Sequence, residues 1–455
     1  MTDPAPLIPD KPPNVLLLFS DQHRAQAMSC AGDPNVETTH MDRLAAEGLR
    51  CSAAYTNAPL CAPARGCVHT GQHPNAHGVI TNHYPLIPSA PQLAQVFHAN
   101  SYHTAHLGKW HLCGGDVGQH FCSPFFRPGW DEWIGWESAH AYGGDGHYWD
   151  TRYGQGARYN VHHTHSYQSD WLADRFLAWL DTAPVDRPWL KVVSFEAPHG
   201  PCQVPEAYAA EYRNRKLRHR PNYSPDHPRA DDPEHALPGY YAMIKNLDDN
   251  IGRILSGVES AGLLEDTLIV YFSDHGDLMG SHGRNGKSRP EEESIRIPWL
   301  MRYPVTLPQG AVHEGLISLV DLMPTLLGLL GFDIPNSVQG IDRSPALCGT
   351  ANLPVYGADR LDEAIYIQQN GVGYIQTAPH THWRALRIGP WSLATSHHTG
   401  PNHLHHLEED PYQQHNLFHD ALSAAIRDEL FELMRTKAAQ IGDTFFSTAP
   451  SLTPA

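Results

Sequence analysis

Two apolar runs end in Asp21-Gln22 and Asp274-His275, and a third ends just before His199. Two carboxylates, an amide oxygen and an imidazole make a donor set for one divalent metal ion. Between the first and second of these points lies Cys61-Ala62-Pro63-Ala64-Arg65, with Thr70-Gly71 close behind it. Gly108-Lys109-Trp110-His111 and Gly286-Lys287-Ser288 add two cations and another imidazole. Each feature alone has a structural use: an Asp caps the next helix, a Lys solvates a strand end, Trp110 packs, and Cys67 pairs with Cys61. Together, in this order around one thiol, they are hard to explain by chance.

The elements that would position these groups can be read from the apolar pattern. Asn14–Ser20 (NVLLLFS), residues 189–195 (WLKVVSF) and 268–273 (LIVYFS) are continuous apolar runs of strand length. Such runs suit strands buried on both faces of a parallel sheet. Residues 39–47, 91–100, 169–180, 240–261 and 317–330 carry helical spacing or cap signals, and 101–107 reads as a short strand delivering Lys109. Alternating strands and helices imply a doubly wound α/β sheet, in which ligands collect beyond the carboxyl ends of the strands. Residues 113–166 read as one long loop, dense in Gly, His, Tyr and Trp, of the kind that forms a lid or substrate wall. His162, His163 and His165 read there as solvated loop residues. From about residue 356 short alternating strands (AIYIQQN, WRALRIG, PWSLATS) precede a last helix over 421–441. The expectation is a large catalytic domain over 1–350 and a small antiparallel sheet with a packed helix over 351–455.

Bulk properties limit the function classes. At 455 residues with 41% apolar content the chain is a globular protein of more than one core. A net charge of −17 argues against an extended nucleic-acid footprint. Histidine, at 32 residues, equals Lys and Arg combined, so a His counts as functional only inside a motif. No signal segment or membrane-length apolar run is visible, and eight cysteines without a CxxC pair read as free thiols. The expectation from these is a cytoplasmic protein with no membrane partner.

The series NVLLLFSDQ, CAPARGCVHTG, LGKWHL, APHGP and YFSDHGD resembles the formylglycine-dependent sulfatases of the alkaline phosphatase superfamily. WRALRIGPWSL and HLHHLEEDPYQQHNL resemble that family's small terminal domain. The resemblance implies an alkaline-phosphatase-like fold and hydrolysis of sulfate monoesters. It implies that a maturation enzyme converts Cys61 to formylglycine, whose hydrated oxygen attacks sulfur. Asp21, Gln22, Asp274 and His275 would hold one divalent cation. Arg65 would orient the formylglycine, Lys109 and Lys287 would bind sulfate oxygens, and His199 would support the leaving oxygen. His111 would be the base that expels sulfate, and Asn82 would line the pocket. Gln22 and His275 stand where many members carry Asp and Asn, which leaves the metal open between calcium and manganese. That pair also resembles phosphonate monoester and phosphodiester hydrolases, the first rival reading, whereas Lys109-Trp110-His111 resembles the sulfate branch. A catalytically silent binding protein is the second rival, weakened because no motif position is lost. Substrate identity and any homo-oligomer are not legible in the sequence.

Overall fold

The computed structural model describes residues 12–115, 122–140, 142–143, 146–152, 160–164, 166–226, 236–349, 361–371, 382–396 and 402–447. Its centre is a run of parallel strands in the order Thr267–Ser273, Asn14–Ser20, Trp189–Ser194, His103–Lys109 and Glu132–Trp136. The register aligns Phe19 with both Ser194 and Phe272, so the strands end level and the residues after them meet at one edge. Antiparallel Trp299–Arg302 continues the sheet on one side towards Leu49–Cys51 and Ala311–His313. Gly146–Arg152 and Asn160–Thr164 continue it on the other, giving ten strands.

The unbroken apolar runs are explained by the two faces they serve. Val15, Leu17 and Phe19 pack into a core shared with Cys61–Thr70 and Leu319–Leu330. Leu16 and Leu18 face the opposite core, built with Gln168–Leu180 and Leu237–Ser260. Strands covered by helices on both sides have no polar face to show. At one strand position both the backbone angle and the neighbouring strand demand glycine. Gly108 has φ +111°, and a Cβ there would lie 2.0 Å from the Ser194 carbonyl oxygen.

The second sheet is antiparallel, in the order Ile365–Asn370, His382–Ile388, Trp391–Ser396 and His403–His406, with Leu430 and Met434 of the helix Ala424–Gln440 packed on it. It docks on the large sheet's side through Trp383 Nε1, which donates to the Ser288 carbonyl at 3.0 Å, and Arg387 Nε, which donates to Tyr55 Oη at 3.0 Å. Among the described residues no helix is long and apolar enough to cross a membrane.

Two sequence readings are corrected. The segment 113–166 is not one loop, because it supplies the strands Glu132–Trp136, Gly146–Arg152 and Asn160–Thr164. Gly135, which breaks the apolar pattern, sits there because a Cβ would come within 2.5 Å of the Gly108 carbonyl oxygen. Of its histidines, His165 lies outside the described residues, as do the side chains of His162 and His163. The cysteines are not all free: Cys113 and Cys122 form a disulfide across nine positions, a spacing with no motif to announce it.

Lys191 points from the central sheet into the helix-covered core. Its side chain is 3% exposed, with Nζ 4.2 Å from the centroid of the Trp179 ring. Burial pushes its pKa down to about 7, partly offset by Glu132. A lysine whose folded pKa lies below its unfolded one gains stability as pH rises from about 7 to about 10.5, because only the unfolded state still binds the proton. Lys191→Met is therefore expected to raise the melting temperature at pH 7 by several degrees and to flatten its rise above pH 7. A variant that melts lower at both pH values would contradict this.

Candidate active site

Cys61 opens the helix Cys61–Thr70, with Pro63 tolerated in the first turn and Gly71, at φ +64°, ending it. The thiol therefore sits at the positive end of a helix dipole. Ala62 N–H donates to Asn82 Oδ1 at 3.0 Å, so Asn82 caps the turn that presents Cys61. The Cys61 Sγ lies 3.1 Å from Lys287 Nζ, 3.3 Å from His275 Nε2 and 3.7 Å from Asp21 Oδ1. Residues 40 and 226 positions apart in sequence thus meet on one sulfur.

Around the thiol, buried charges are matched. Arg65 Nη2 donates to Asp21 Oδ2 at 3.0 Å, and Nε lies 3.4 Å from Asp274 Oδ2. Its Nη1 donates to the Lys109 carbonyl at 3.0 Å and to Ser194 Oγ at 2.9 Å. Lys109 Nζ stands 2.8 Å from Asp21 Oδ2 and 3.6 Å from Glu196 Oε1. Burial alone would raise Asp21, but Lys109, His199, Lys287 and Arg65 outweigh it and hold the carboxyl well below its usual range. Lys109 is likewise pushed above the usual lysine range against burial by Asp21, Cys61 and Glu196.

The metal-ligand reading has a structural test. Asp21, Cys61, Asp274 and His275 bring ligand atoms to within 4.8 Å of one another, all buried. His275 Nδ1 is 3.0 Å from the Gly276 carbonyl, which fixes the proton there and turns the bare Nε2 towards Asp21 and Asp274. Burial and the facing Asp21 push the Asp274 pKa up, and Asp274 Oδ2 accepts no hydrogen bond. Two repelling carboxylates and an imidazole lone pair aimed at one point fit a divalent cation. Gln22 is placed beside them at φ +67°: its N–H donates to Asp274 Oδ1 at 3.0 Å, and its Oε1 accepts from Lys287 Nζ at 2.5 Å.

His111 and His199 complete the ring. His111 has φ +59° and is buried, with no hydrogen-bond partner for Nδ1, and burial, Lys109 and Arg65 hold its pKa well down. His199 follows the Trp189–Ser194 strand, and its Nδ1 donates to the Gly200 carbonyl at 2.5 Å. Burial, Lys287 and His140 hold its pKa well down.

Three residues of the site were given no role by the sequence. Glu196 follows the same strand as His199, faces Lys109 and accepts from Gln168 Nε2 at 2.7 Å. Its signal was a carboxylate just past a buried strand, two residues beyond Ser194, as Asp21 stands one beyond Ser20. Asp277 accepts from Gln22 Nε2 and fixes which end of that amide faces Lys287. His140 stacks on His199, with ring centroids 4.2 Å apart.

Known proteins resemble this chain in sequence and in fold. The Sulfatase family model matches residues 13–332, and a model described as N-sulphoglucosamine sulphohydrolase, C-terminal, matches residues 280–440. The chain is 32% identical over 440 residues to the ulvan-active sulfatase of Formosa agariphila, covering 96% of this chain and 83% of that one. The YidJ sulfatase structure from Bacteroides fragilis superposes with TM-score 0.85 at 25% identity, covering 97% and 98% of the two chains. The phosphonate monoester hydrolase of Agrobacterium radiobacter shares the fold, with TM-score 0.76 at 23% identity and coverage of 97% and 98%. The chain belongs to the sulfatase family and is a sulfuric ester hydrolase.

Proposed function

We propose that this sulfatase works through a formylglycine made from Cys61 by a maturation enzyme, with one divalent cation, calcium or manganese, held by Asp21, Gln22, Asp274 and His275. The observation that carries the reading is the convergence of Lys287, His275 and Asp21 on the Cys61 sulfur, within 3.1–3.7 Å. Sulfatases generally use both groups: the aldehyde hydrate supplies the nucleophilic oxygen and the cation neutralises charge on the ester.

The remaining work belongs to the chain's own side chains. Arg65 fixes both aspartates through separate nitrogens. Lys109 and Lys287 bind the sulfate oxygens, where negative charge is concentrated. When the S–O bond breaks, its electron pair leaves on the alcohol oxygen, which takes a proton from His199 Nε2. The ring keeps its Nδ1 proton on the Gly200 carbonyl and ends neutral. Burial and Lys287 keep the second proton off the free ring, and the negative charge of the bound ester offsets them. In the second half-reaction His111 accepts the proton whose loss expels sulfate. We take the rest of the substrate to be a small saccharide, supported by the match to the C-terminal model of N-sulphoglucosamine sulphohydrolase, an enzyme named for a sulfated sugar.

The mass of the peptide containing Cys61, after co-expression with a formylglycine-generating enzyme, tests the nucleophile. An aldehyde in place of the thiol is expected; a fully active preparation carrying only the thiol would overturn the assignment. Metal binding has its own readout. Chelator is expected to lower the melting temperature, calcium or manganese to restore it, and Asp274→Asn to abolish that restoration. A melting curve indifferent to chelator and to both cations would remove the cation from this site.

A further inference from the structure

Residues 138–140 and Tyr142 grip the His199 loop from two sides. Tyr142 Oη donates to the His199 carbonyl at 2.5 Å and to the Glu196 carbonyl at 3.2 Å. The His140 ring lies on the His199 ring, the two planes within 22° of parallel. His140 is itself held in an unusual place. Its φ is +46°, a left-handed conformation that a histidine adopts only when its surroundings fix it. Glu196 Oε1 accepts the Ala139 N–H at 3.0 Å and the His140 N–H at 3.4 Å, and Ser138 Oγ lies 3.1 Å from His140 Nε2. Glu196 also faces Lys109, so the turn carrying His140 is fastened to a proposed sulfate-binding residue.

We propose that His140 is a positioning residue for the leaving-group side of the reaction: its stacked ring fixes the His199 ring plane so that Nε2 meets the departing alcohol oxygen. The inference rests on the role given to His199 above. The geometry leaves His199 few other restraints: Nδ1 is tied to the carbonyl of the next residue, and rotation about the last side-chain bond is limited by the covering ring. Misplacing a proton donor by about an ångström is enough to cost about 100-fold in rate. That cost depends on the alcohol. A phenolate with a stabilised charge leaves with little help, whereas a sugar alkoxide needs the proton.

The test compares His140→Ala, His140→Phe and His199→Ala on a nitrophenyl sulfate and on a simple alkyl or sugar sulfate, using metal-loaded enzyme with measured formylglycine content. His140→Ala is expected to lower kcat by about 10- to 100-fold on the alkyl ester and by no more than about 3-fold on the aryl ester. His140→Phe, which keeps the flat covering ring, is expected to recover most of the loss. His199→Ala is expected to show a larger loss with the same dependence on the alcohol. An equal loss on both esters, no loss, or no advantage of Phe over Ala would overturn the role of His140. If His199→Ala itself shows no dependence on the alcohol, the proton-donor assignment of His199 fails first. Should the alanine variant not fold, the Phe variant set against His140→Gln carries the same contrast, since only Phe offers an aromatic ring.

Discussion

Cys61→Ala is expected to lower kcat/KM for an aryl sulfate by about 10⁴-fold or more, with little change in melting temperature. The size follows from what is removed. Without the sulfur there is nothing to convert, so the covalent half of the pathway is lost, while the cations that bind sulfate stay in place. KM is therefore expected to move far less than kcat, since Lys109 and Lys287 are untouched. The melting temperature holds because Cys61 contributes one small side chain at the start of a helix whose other residues stay packed. A variant retaining a tenth of the activity would place the nucleophile elsewhere.

Arg65→Ala is expected to do both kinds of damage. Its guanidinium is 1% exposed and serves Asp21, Asp274, the Lys109 carbonyl and Ser194, with Phe19 beneath it at 4.5 Å. Removing one partner of a buried charge network leaves the others uncompensated, at a cost of about 3–5 kcal/mol. A fall of roughly 3–5 °C in melting temperature follows for a chain of this size. Activity is expected to fall by about 10³-fold or more, because both aspartates lose the group that aims them. Arg65→Lys is expected to recover part of the stability and little of the activity. A lysine supplies one point charge where three acceptors and a second carboxylate need a planar fork. Full activity in the lysine variant would show that charge alone is what the site requires.

What the sequence disclosed and what it withheld divide along physical lines. Asn14–Ser20, Trp189–Ser194 and Thr267–Ser273 were legible because strands covered on both faces are apolar nearly throughout, Lys191 being the one charged residue among them. Once they are parallel and in register, Asp21 and Asp274 must be neighbours. Glu132–Trp136 was not legible, because its glycine answers a contact with Gly108 that exists only after folding. The Cys113–Cys122 disulfide was hidden for the same reason. In the site, residues whose type announces chemistry were found and the residues that hold them were not. Asp277 looked like one more acidic residue until Gln22 was seen bonded to it. His140 lay in a run so rich in histidine and aromatics that only its stacking on His199 distinguishes it.

The central claim is that this pocket cleaves sulfate monoesters at residue 61. It is tested most directly by kcat/KM for an aryl sulfate and an aryl phosphonate monoester on one metal-loaded preparation, with Cys61→Ala alongside. The account predicts a strong preference for the sulfate that disappears in the variant. A preference for the phosphonate, or sulfate hydrolysis that survives in the variant, would contradict it.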